Sequence, residues 1–244
     1  MRTISIILAA GQGKRLLPRT LDTPKCLVNV GGLPILCRQL SALEKNGLEQ
    51  ITIVTGFMAY VVERYATSNF PNLHFTFIRN PRFSETNTLY SLALAAETVP
   101  AGAGVLQLNG DVVFDPAIIA RLLDTDPDAS YAAVHYKPCG TEEIKAVCAS
   151  DNSIALLNKS VAANKAVGEA VGINKFSPKF WQALARHLER LKEPRADEYF
   201  EYALERAIAQ GEKIYPFDIG TSRAIEIDFP RDLEEAERSF LAGY

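Results

Sequence analysis

The sequence contains no apolar run that approaches the roughly 18 residues of a membrane-spanning helix. It also has no excess of basic residues. Its 244 residues carry a formal net charge of −3, whereas nucleic-acid-binding domains usually present a basic stripe. We therefore expect neither a membrane nor nucleic acid as partner and favour a small-molecule ligand. A homo-oligomer is compatible with the sequence.

The cysteines lack the spacing of a metal site. Cys26, Cys37, Cys139 and Cys148 form no C-x-x-C pair and have no pair of histidines nearby in the sequence. We interpret them as reduced thiols of a cytoplasmic protein. The short apolar run at residues 4–10 follows one arginine and precedes a glycine-rich polar loop, which is typical of a buried strand and not of a signal peptide.

Short apolar runs alternate with longer amphipathic segments in the first half of the chain. The predicted strands are residues 4–8, 51–54, 75–78 and 105–108, and the predicted helices are residues 35–46, 60–67, 88–97 and 118–123. This alternation predicts an α/β fold with a Rossmann-like, mostly parallel sheet flanked by helices. Ligands of such sheets bind beyond the carboxyl ends of the strands.

The second half begins with β-rich pieces separated by polar turns, at residues 131–136, 144–148 and 171–176. We expect a small antiparallel β addition here that walls the acceptor pocket. Ser177 is a candidate cap for a helix that ends at residue 191. A helix at 199–209, strands at 213–217 and 224–227 and a charged helix at 231–241 are also predicted. No linker is long enough to divide the chain, so residues 1–244 are interpreted as one domain.

A glycine-rich stretch, LAAGQGKRLLPRT at residues 8–20, follows the first predicted strand. Its small residues let the backbone bend and expose N–H groups to an anion, and Lys14, Arg15 and Lys25 add positive charge. These features describe a triphosphate cradle. For a lone pair of glycines, an ordinary strand-to-helix turn with solvated lysines would be the default interpretation.

Two better-known phosphate loops do not match. A Walker loop requires four residues between its glycines and a Ser or Thr after the lysine, and Gly11-Gln12-Gly13-Lys14-Arg15 has neither. A dinucleotide-binding loop requires a third glycine where this chain has Leu16. A nicotinamide-dependent dehydrogenase is therefore a distant alternative.

The stretch resembles the opening pattern of nucleotidyltransferases of the sugar-phosphate and phosphocholine type, L-A-A-G-x-G-x-R-L-x-P-x-T followed by P-K-x-L. All fixed positions match, with Pro24-Lys25-Cys26-Leu27 as the second element. The resemblance implies that Arg15 holds the β and γ phosphates and that Lys25 holds the α phosphate or the acceptor phosphate. The nucleotide-binding residues that it implies are Leu8, Ala9, Ala10, Gly11, Gly13, Lys14, Arg15 and Gly110.

Two carboxylates follow predicted strands. Asn109-Gly110-Asp111 directly follows the strand at 105–108, and Asp228 ends the last strand. Taken alone, Asp111 is a common turn residue and Asp228 is a plausible helix cap before Pro230. In the family, a G-D and an E-I-D at these places supply magnesium ligands, so the resemblance implies Mg²⁺ as cofactor, held by Asp111 and Asp228. Glu226 lies on the same strand face and is a candidate third ligand through water.

No protein base or nucleophile is required, because the phosphate of the acceptor is already anionic. Catalysis would rest on positioning and on neutralising charge as pyrophosphate leaves. The four residues assigned to this work are Arg15, Lys25, Asp111 and Asp228.

The choice of base rests on a shorter element. Asn87-Thr88-Leu89-Tyr90-Ser91-Leu92 resembles the N-x-x-Y-S-L helix start of the phosphocholine, aminoethylphosphonate and inositol-phosphate cytidylyltransferases, and places Asn87 and Ser91 near the base or ribose. Helix capping by Asn87 is an equally good interpretation. The expected donor is CTP, and another nucleoside triphosphate remains the alternative.

The acceptor side is predicted from three places. Glu169 lies in a segment that resembles a G-E-x-x-G-I strand lining the acceptor pocket of relatives. Tyr199 and Glu201 combine an aromatic ring and a carboxylate, which suits a cationic amine, although an amphipathic helix explains most of these residues equally well. Lys25, Lys159 and Lys165 are candidates for binding the acceptor phosphate, although a solvated loop explains Lys159 and Lys165 equally well.

The leading hypothesis is CMP transfer from CTP to a small phosphorylated acceptor such as phosphocholine, aminoethylphosphonate or inositol phosphate. A sugar-1-phosphate nucleotidyltransferase that uses UTP, GTP or dTTP shares the same metal and triphosphate residues. A non-catalytic nucleotide-binding regulatory subunit is the alternative from another class, and the presence of all four catalytic candidates weighs against it.

Overall fold

A computed structural model describes residues 2–240 and confirms the mostly parallel α/β sheet. The strands of the first half are β1 (Thr3–Ala9), β2 (Asn29–Val30), β3 (Leu33–Pro34), β4 (Gln50–Thr55), β5 (His74–Arg79), β6 (Gly104–Asn109) and β7 (Val112–Phe114). The parallel strands among them lie in the order β6-β1-β4-β5. The helices are α1 (Ile35–Lys45), α2 (Ala59–Asn69), α3 (Thr88–Ala96), α4 (Ala117–Leu123), α5 (Pro178–Leu191), α6 (Glu201–Ala209) and α7 (Pro230–Ser239).

The strand β1 shows why both faces of the sheet are covered. Its side chains alternate between the faces, as strand geometry requires. Ile6 joins one buried cluster together with Leu89 and Leu184 of α3 and α5, whereas Ile7 joins a second cluster with Leu40 of α1. A nearly continuous apolar strand is therefore buried on both sides, which is the usual state of a parallel sheet.

The predicted antiparallel addition is confirmed and extends the sheet beyond β6. Its strands are β8 (Ser130–His135), β9 (Lys145–Cys148), β10 (Ile154–Asn158) and β11 (Gly168–Phe176). A further strand, β12 (Ile214–Asp218), pairs parallel with β8. The long strand β11 pairs antiparallel with β6, β8 and β9. Between Ala170 and Asn174 its register shifts, and Gly172 takes a positive φ of 67° there. β9 pairs with the first residues of β11, and β6 pairs with its last residues.

The last predicted strand is present, but it does not join the large sheet. Ala224–Glu226, β13, pairs antiparallel with the short strand β7 in a separate two-stranded sheet. The sequence analysis did not predict β7, because three residues are too few to show a period. This small sheet brings the carboxyl end of the chain beside the end of β6, where Ile227 N donates to Asp111 O at 3.0 Å.

Most helix boundaries agree with the predictions. The Ser177 side chain accepts a hydrogen bond from Phe180 N, so the predicted cap of α5 is confirmed. The helix expected from residue 199 begins at Glu201, and Leu241, the predicted end of the last helix, lies outside the described residues. None of the helices between residues 2 and 240 has the length and apolar character of a membrane-crossing helix.

Candidate active site

A cavity of about 410 Å³ opens at the carboxyl ends of the parallel strands. The register of the sheet places Leu8 beside Asn109, so the glycine-rich loop after β1 and the turn after β6 lie side by side. Most of the predicted site residues line this cavity. They are Leu8, Ala9, Gly11, Gly13, Lys14, Arg15, Lys25, Asn87, Gly110, Asp111, Tyr199, Glu201, Glu226 and Asp228.

The glycine-rich loop packs closely against the side chain of Lys25. Gly13 has a positive φ of 73°, and a Cβ there would lie only 2.9 Å from Cγ of Lys25. The Thr20 hydroxyl donates to Gly13 O at 2.8 Å and closes the loop. Leu16, buried beneath the turn, anchors the loop to the protein. The side chain of Lys25 can therefore cross the loop to reach the cavity.

The turn that carries Asp111 is held from two sides. Gly110 N donates to Leu8 O at 3.0 Å, and a Cβ on Gly110 would lie 2.5 Å from that same oxygen. On the other side, the buried side chain of Gln39 from α1 donates to the carbonyl oxygens of Asn109 and Val112, both at 2.8 Å. These bonds fix the backbone on which the Asp111 carboxylate stands.

Two carboxylates converge on one ammonium group. Lys25 Nζ lies 2.5 Å from Asp111 Oδ2 and 2.7 Å from Asp228 Oδ1. Burial disfavours the charged ammonium, but the two carboxylates outweigh that effect and raise the pKa of Lys25. Arg15 Nη2 also approaches Asp228 Oδ1, at 2.8 Å. Burial opposes the ionisation of Asp228, yet the charges of Lys25 and Arg15 lower its pKa.

Asp228 does not cap the helix that follows it. Asp232, in the first turn of α7, accepts instead from Asp228 N at 3.0 Å and from Phe229 N at 2.7 Å. The carboxylate of Asp228 is thereby left to face the cavity. Phe229 supports Arg15, whose guanidinium carbon lies 4.7 Å from the centre of the ring.

Glu226 lies deeper than the two aspartates and has its own partner. Its Oε1 accepts from Asn109 Nδ2 at 3.0 Å. Burial, followed by the negative charge of Asp111, raises the pKa of Glu226 to about 8. Within residues 2–240 no three His, Cys, Asp or Glu side chains are arranged as a metal-ligand set. An ion between Asp111 and Asp228 would therefore need further ligands from substrate and water.

The start of α3 forms another wall. Asn87 Oδ1 accepts from Thr88 N at 2.8 Å, so the capping interpretation of Asn87 describes its side chain, although Asn87 also lines the cavity. Ser91 does not line it, because its hydroxyl is buried and accepts from Asn80 Nδ2 at 3.2 Å. Asn80 Nδ2 also reaches Thr86 Oγ1 at 2.9 Å.

On the opposite side, Tyr199 and Glu201 face the cavity together with Lys159. Glu201 is buried, and its Oε2 atom has no hydrogen-bond partner among residues 2–240. Burial raises the pKa of Glu201 to about 7, while the charge of Lys159 acts in the opposite direction. Lys159 Nζ lies 5.1 Å from the centre of the Tyr199 ring. An aromatic face and an unpaired carboxylate oxygen thus lie close to one another at this wall.

The structure does not bring two further predicted residues to this cavity. Glu169 faces a neighbouring cavity of about 240 Å³, because Lys137 holds its carboxylate at 2.7 Å. That second cavity shares Glu226 and Asp228 with the first. Ala10 is buried, and its carbonyl oxygen accepts from Phe57 N at 2.9 Å.

Several lining residues were missed by the sequence analysis. Asn109 stands in the same N-G-D tripeptide as Asp111 and could have been found from it. Cys26 lies within the P-K-x-L element, but burial raises the pKa of its thiol to about 12, which makes it a poor nucleophile. Two of the others stand at variable positions of the motifs already described, and the rest lie outside those motifs and carry no local signal. They are Gln12, Phe83, Ser84, Thr86, Thr88 and Ile144.

Sequence comparison finds a matching family model and curated relatives. A family model described as the MobA-like NTP transferase domain matches residues 5–198. The chain is 36% identical over 129 residues to the CMP-5'-(3-aminopropyl)phosphonate synthase of Streptomyces rubellomurinus. The aligned region covers 53% of this chain and 20% of that protein. The chain is also 33% identical over 124 residues to the 2-aminoethylphosphonate cytidylyltransferase of Lancefieldella rimae. That aligned region covers 47% of this chain and 48% of the relative. The matches therefore span about a fifth and about half of the length of these relatives.

The fold is also similar to a solved structure, that of the CTP:phosphocholine cytidylyltransferase from Streptococcus pneumoniae. The TM-score is 0.80 at 22% identity, and the superposition covers 98% of this chain and 99% of the other. At this identity the likeness shows a common fold.

The contacts of Lys25 predict a stability effect. Replacing Lys25→Met leaves two carboxylates facing each other, and we expect the free energy of unfolding in urea at pH 7 to fall by roughly 1–3 kcal/mol, since both pairs are partly exposed. The matched control is Lys213→Met, which removes a 2.7 Å ion pair with Asp151 at the surface and should change little. Equal losses in the two variants would contradict the role given to Lys25.

Proposed function

The chain belongs to the MobA-like NTP transferase family, and from this premise we propose that it transfers CMP from CTP to a small phosphorylated acceptor and releases pyrophosphate. One observation carries the proposal. Two carboxylates, Asp111 and Asp228, and two cations, Arg15 and Lys25, converge beside the glycine-rich loop. Charges of both signs at one point suit a reaction in which phosphates and their counter-ion must be held together.

The choice of CTP is supported by the relatives, since the proteins from Streptomyces rubellomurinus and Lancefieldella rimae are named for the formation of CMP conjugates or for cytidylyl transfer. The phosphate-holding part of the proposal rests on the chain's own residues. Gly11 and Gly13 line the cavity, and so do Arg15 and Lys25, whose positive charges would neutralise the triphosphate.

Magnesium is the proposed cofactor, and the donor set fits it. Asp111 and Asp228 direct one oxygen each toward a common point, which the ammonium of Lys25 reaches at 2.5 and 2.7 Å. Mg²⁺ is commonly held by one or two carboxylates, with substrate phosphates and water completing its shell. When bound, the ion would neutralise negative charge on the phosphates. A contribution of Glu226 through water stays a prediction.

The reaction needs positioning and charge neutralisation from the protein. An oxygen of the acceptor phosphate attacks the α-phosphorus, and the bond from that phosphorus to the pyrophosphate oxygen breaks in line with the attack. Arg15 and Lys25 offset the charge that develops on the leaving pyrophosphate. No side chain has to remove a proton, because the attacking oxygen is already anionic.

The wall formed by Tyr199 and Glu201 supports an acceptor with a cationic amine. A desolvated carboxylate oxygen without a partner favours a nearby positive charge, and an aromatic face adds cation–π attraction. The ammonium of Lys159 already occupies such a position, 5.1 Å from the ring centre. Phosphocholine and aminoethylphosphonate carry the required charge, and inositol phosphate does not.

The central test of the proposal is the choice of substrates. Pyrophosphate release should be measured with each of four nucleoside triphosphates against phosphocholine, 2-aminoethylphosphonate, inositol phosphate and sugar-1-phosphates. We expect release with CTP and an amine-bearing acceptor. Release with UTP, GTP or dTTP and a sugar-1-phosphate, but not with CTP, would favour a sugar-phosphate nucleotidyltransferase. No release in any combination would favour the regulatory subunit.

The metal assignment predicts a loss of catalysis on neutralising one carboxylate. Asp111→Asn should lower the rate of nucleotidyl transfer in Mg²⁺ by about a hundredfold or more, because charge stabilisation by the ion is lost. The control is Asp128→Asn, an exposed turn residue away from the cavity, which should transfer at the parent rate. If Asp111→Asn transfers at nearly the parent rate, the assignment of Asp111 as a magnesium ligand is wrong.

The amine-binding wall predicts a pH-dependent preference among acceptors. Because Glu201 ionises near pH 7 and faces Lys159 and Glu205, the ratio of kcat/KM for phosphocholine to that for inositol phosphate should rise as the pH passes through about 7. Comparing two phosphate acceptors cancels the ionisation of the phosphate itself. Glu201→Gln should lower this ratio by about tenfold at pH 8 and abolish its pH dependence. An unchanged ratio would exclude Glu201 from amine recognition.

A further inference from the structure

The starts of α3 and α6, which form two walls of the cavity, are joined by hydrogen bonds. The first N–H groups of any helix lack partners within it, so they must find acceptors elsewhere. At the start of α3, Asn87 N donates to Ala196 O at 2.8 Å and Leu89 N donates to Glu198 O at 3.2 Å. These acceptors belong to the segment that leads into α6. The segment before one helix thus satisfies the first N–H groups of the other.

The reverse contact is made by a side chain. Phe200 N, at the start of α6, donates to the hydroxyl oxygen of Thr88, the first residue of α3, at 3.0 Å. Phe200 stands between Tyr199 and Glu201, the two residues that face the cavity from this wall. The hydroxyl of Thr88 therefore holds the backbone from which both side chains project.

The supports of the two walls are unequal. The wall at α3 keeps its own bonds when the Thr88 hydroxyl is removed, because Asn87 Oδ1 accepts from the backbone of Thr88. The loop before α3 is independently held by Asn80, which reaches Thr86 and Ser91. Loss of the Thr88 hydroxyl therefore leaves the wall at α3 in place and removes the hydrogen bond of Phe200 N. The backbone bonds to Ala196 and Glu198 remain, so the change is confined to the backbone between Tyr199 and Glu201.

We propose that Thr88 is a positioning residue for the acceptor, which acts through Phe200 on Tyr199 and Glu201. This role rests on the proposed function, in which Tyr199 and Glu201 bind the acceptor. Thr88 belongs to α3, whose start is predicted to lie near the nucleotide, and yet it would affect the binding of the acceptor. The Thr88 contact would also couple the binding of the nucleotide to that of the acceptor, because a ligand that orders the start of α3 would also order the start of α6.

The test compares three variants by steady-state kinetics with CTP, using phosphocholine and 2-aminoethylphosphonate as acceptors. Thr88→Val keeps the shape of the side chain and removes the acceptor oxygen, and Thr88→Ser keeps the oxygen. Thr98→Val is the matched control. Thr98 lies just beyond the other end of α3, where its hydroxyl donates to Ala95 O at 2.8 Å and lies 3.1 Å from Thr52 Oγ1.

In Thr88→Val we expect the KM for the acceptor to rise about tenfold, since a backbone N–H loses its partner, while the KM for CTP changes by less than about twofold. Thr88→Ser should restore the parent KM for the acceptor, and Thr98→Val should leave both KM values unchanged. An equal rise of both KM values in Thr88→Val, no rescue by serine, or the same effect in Thr98→Val would each overturn the inference.

Amide hydrogen exchange gives a readout that does not depend on turnover. Exchange in the segment around Phe200 should be faster in Thr88→Val than in the parent and in Thr98→Val. Unchanged exchange would overturn the positioning role even if the parent is active. If the parent turns over no acceptor with any nucleoside triphosphate, the proposed function fails, and the exchange result still decides whether Thr88 holds the start of α6.

Discussion

The arrangement of the cavity depends on one electrostatic constraint, which is that two carboxylates share a single ammonium. Asp111 and Asp228 are separated from Lys25 by 86 and 203 positions in the chain, yet both reach its Nζ atom. Carboxylates this close repel each other unless a cation lies between them. The ammonium of Lys25 therefore holds the two carboxylates together in the cavity.

The backbone around these charges leaves little freedom. Gly110 lies against the carbonyl of Leu8 so closely that a Cβ would collide with it, and Gln39 ties the same turn from the helix below. The small sheet of β7 and β13 then adds Asp228 to the group. The contact of Gly110 with β1 and the hydrogen bonds of Gln39 position the turn that carries Asp111, and the pairing of β7 with β13 positions Asp228. The side chains are thus held in position before any substrate binds, which reduces the reorganisation that transfer requires.

The two sides of the cavity have different chemistry but a common support. The glycine-rich loop offers N–H groups and cations, which suit a triphosphate. The wall with Tyr199 and Glu201 offers a ring and a desolvated carboxylate, which suit an amine. Because the starts of α3 and α6 exchange hydrogen bonds, the geometry of one side is linked to that of the other. This linkage is a physical route by which two substrates of very different charge could be aligned.

Local patterns in the sequence determined the α/β class, because strand and helix periods are written in neighbouring residues. A family resemblance, carried by short contiguous motifs, singled out Lys25, Asp111 and Asp228, whose roles toward phosphate and metal stay predictions. Tertiary structure alone decided the pairing of β7 with β13, the turn held by Gln39, and the burial of Ser91. It also turned Glu169 toward Lys137 and joined Thr88 to Phe200. Each of these depends on contacts between distant segments, and the direction of a side chain in such a contact follows from packing that no local pattern encodes.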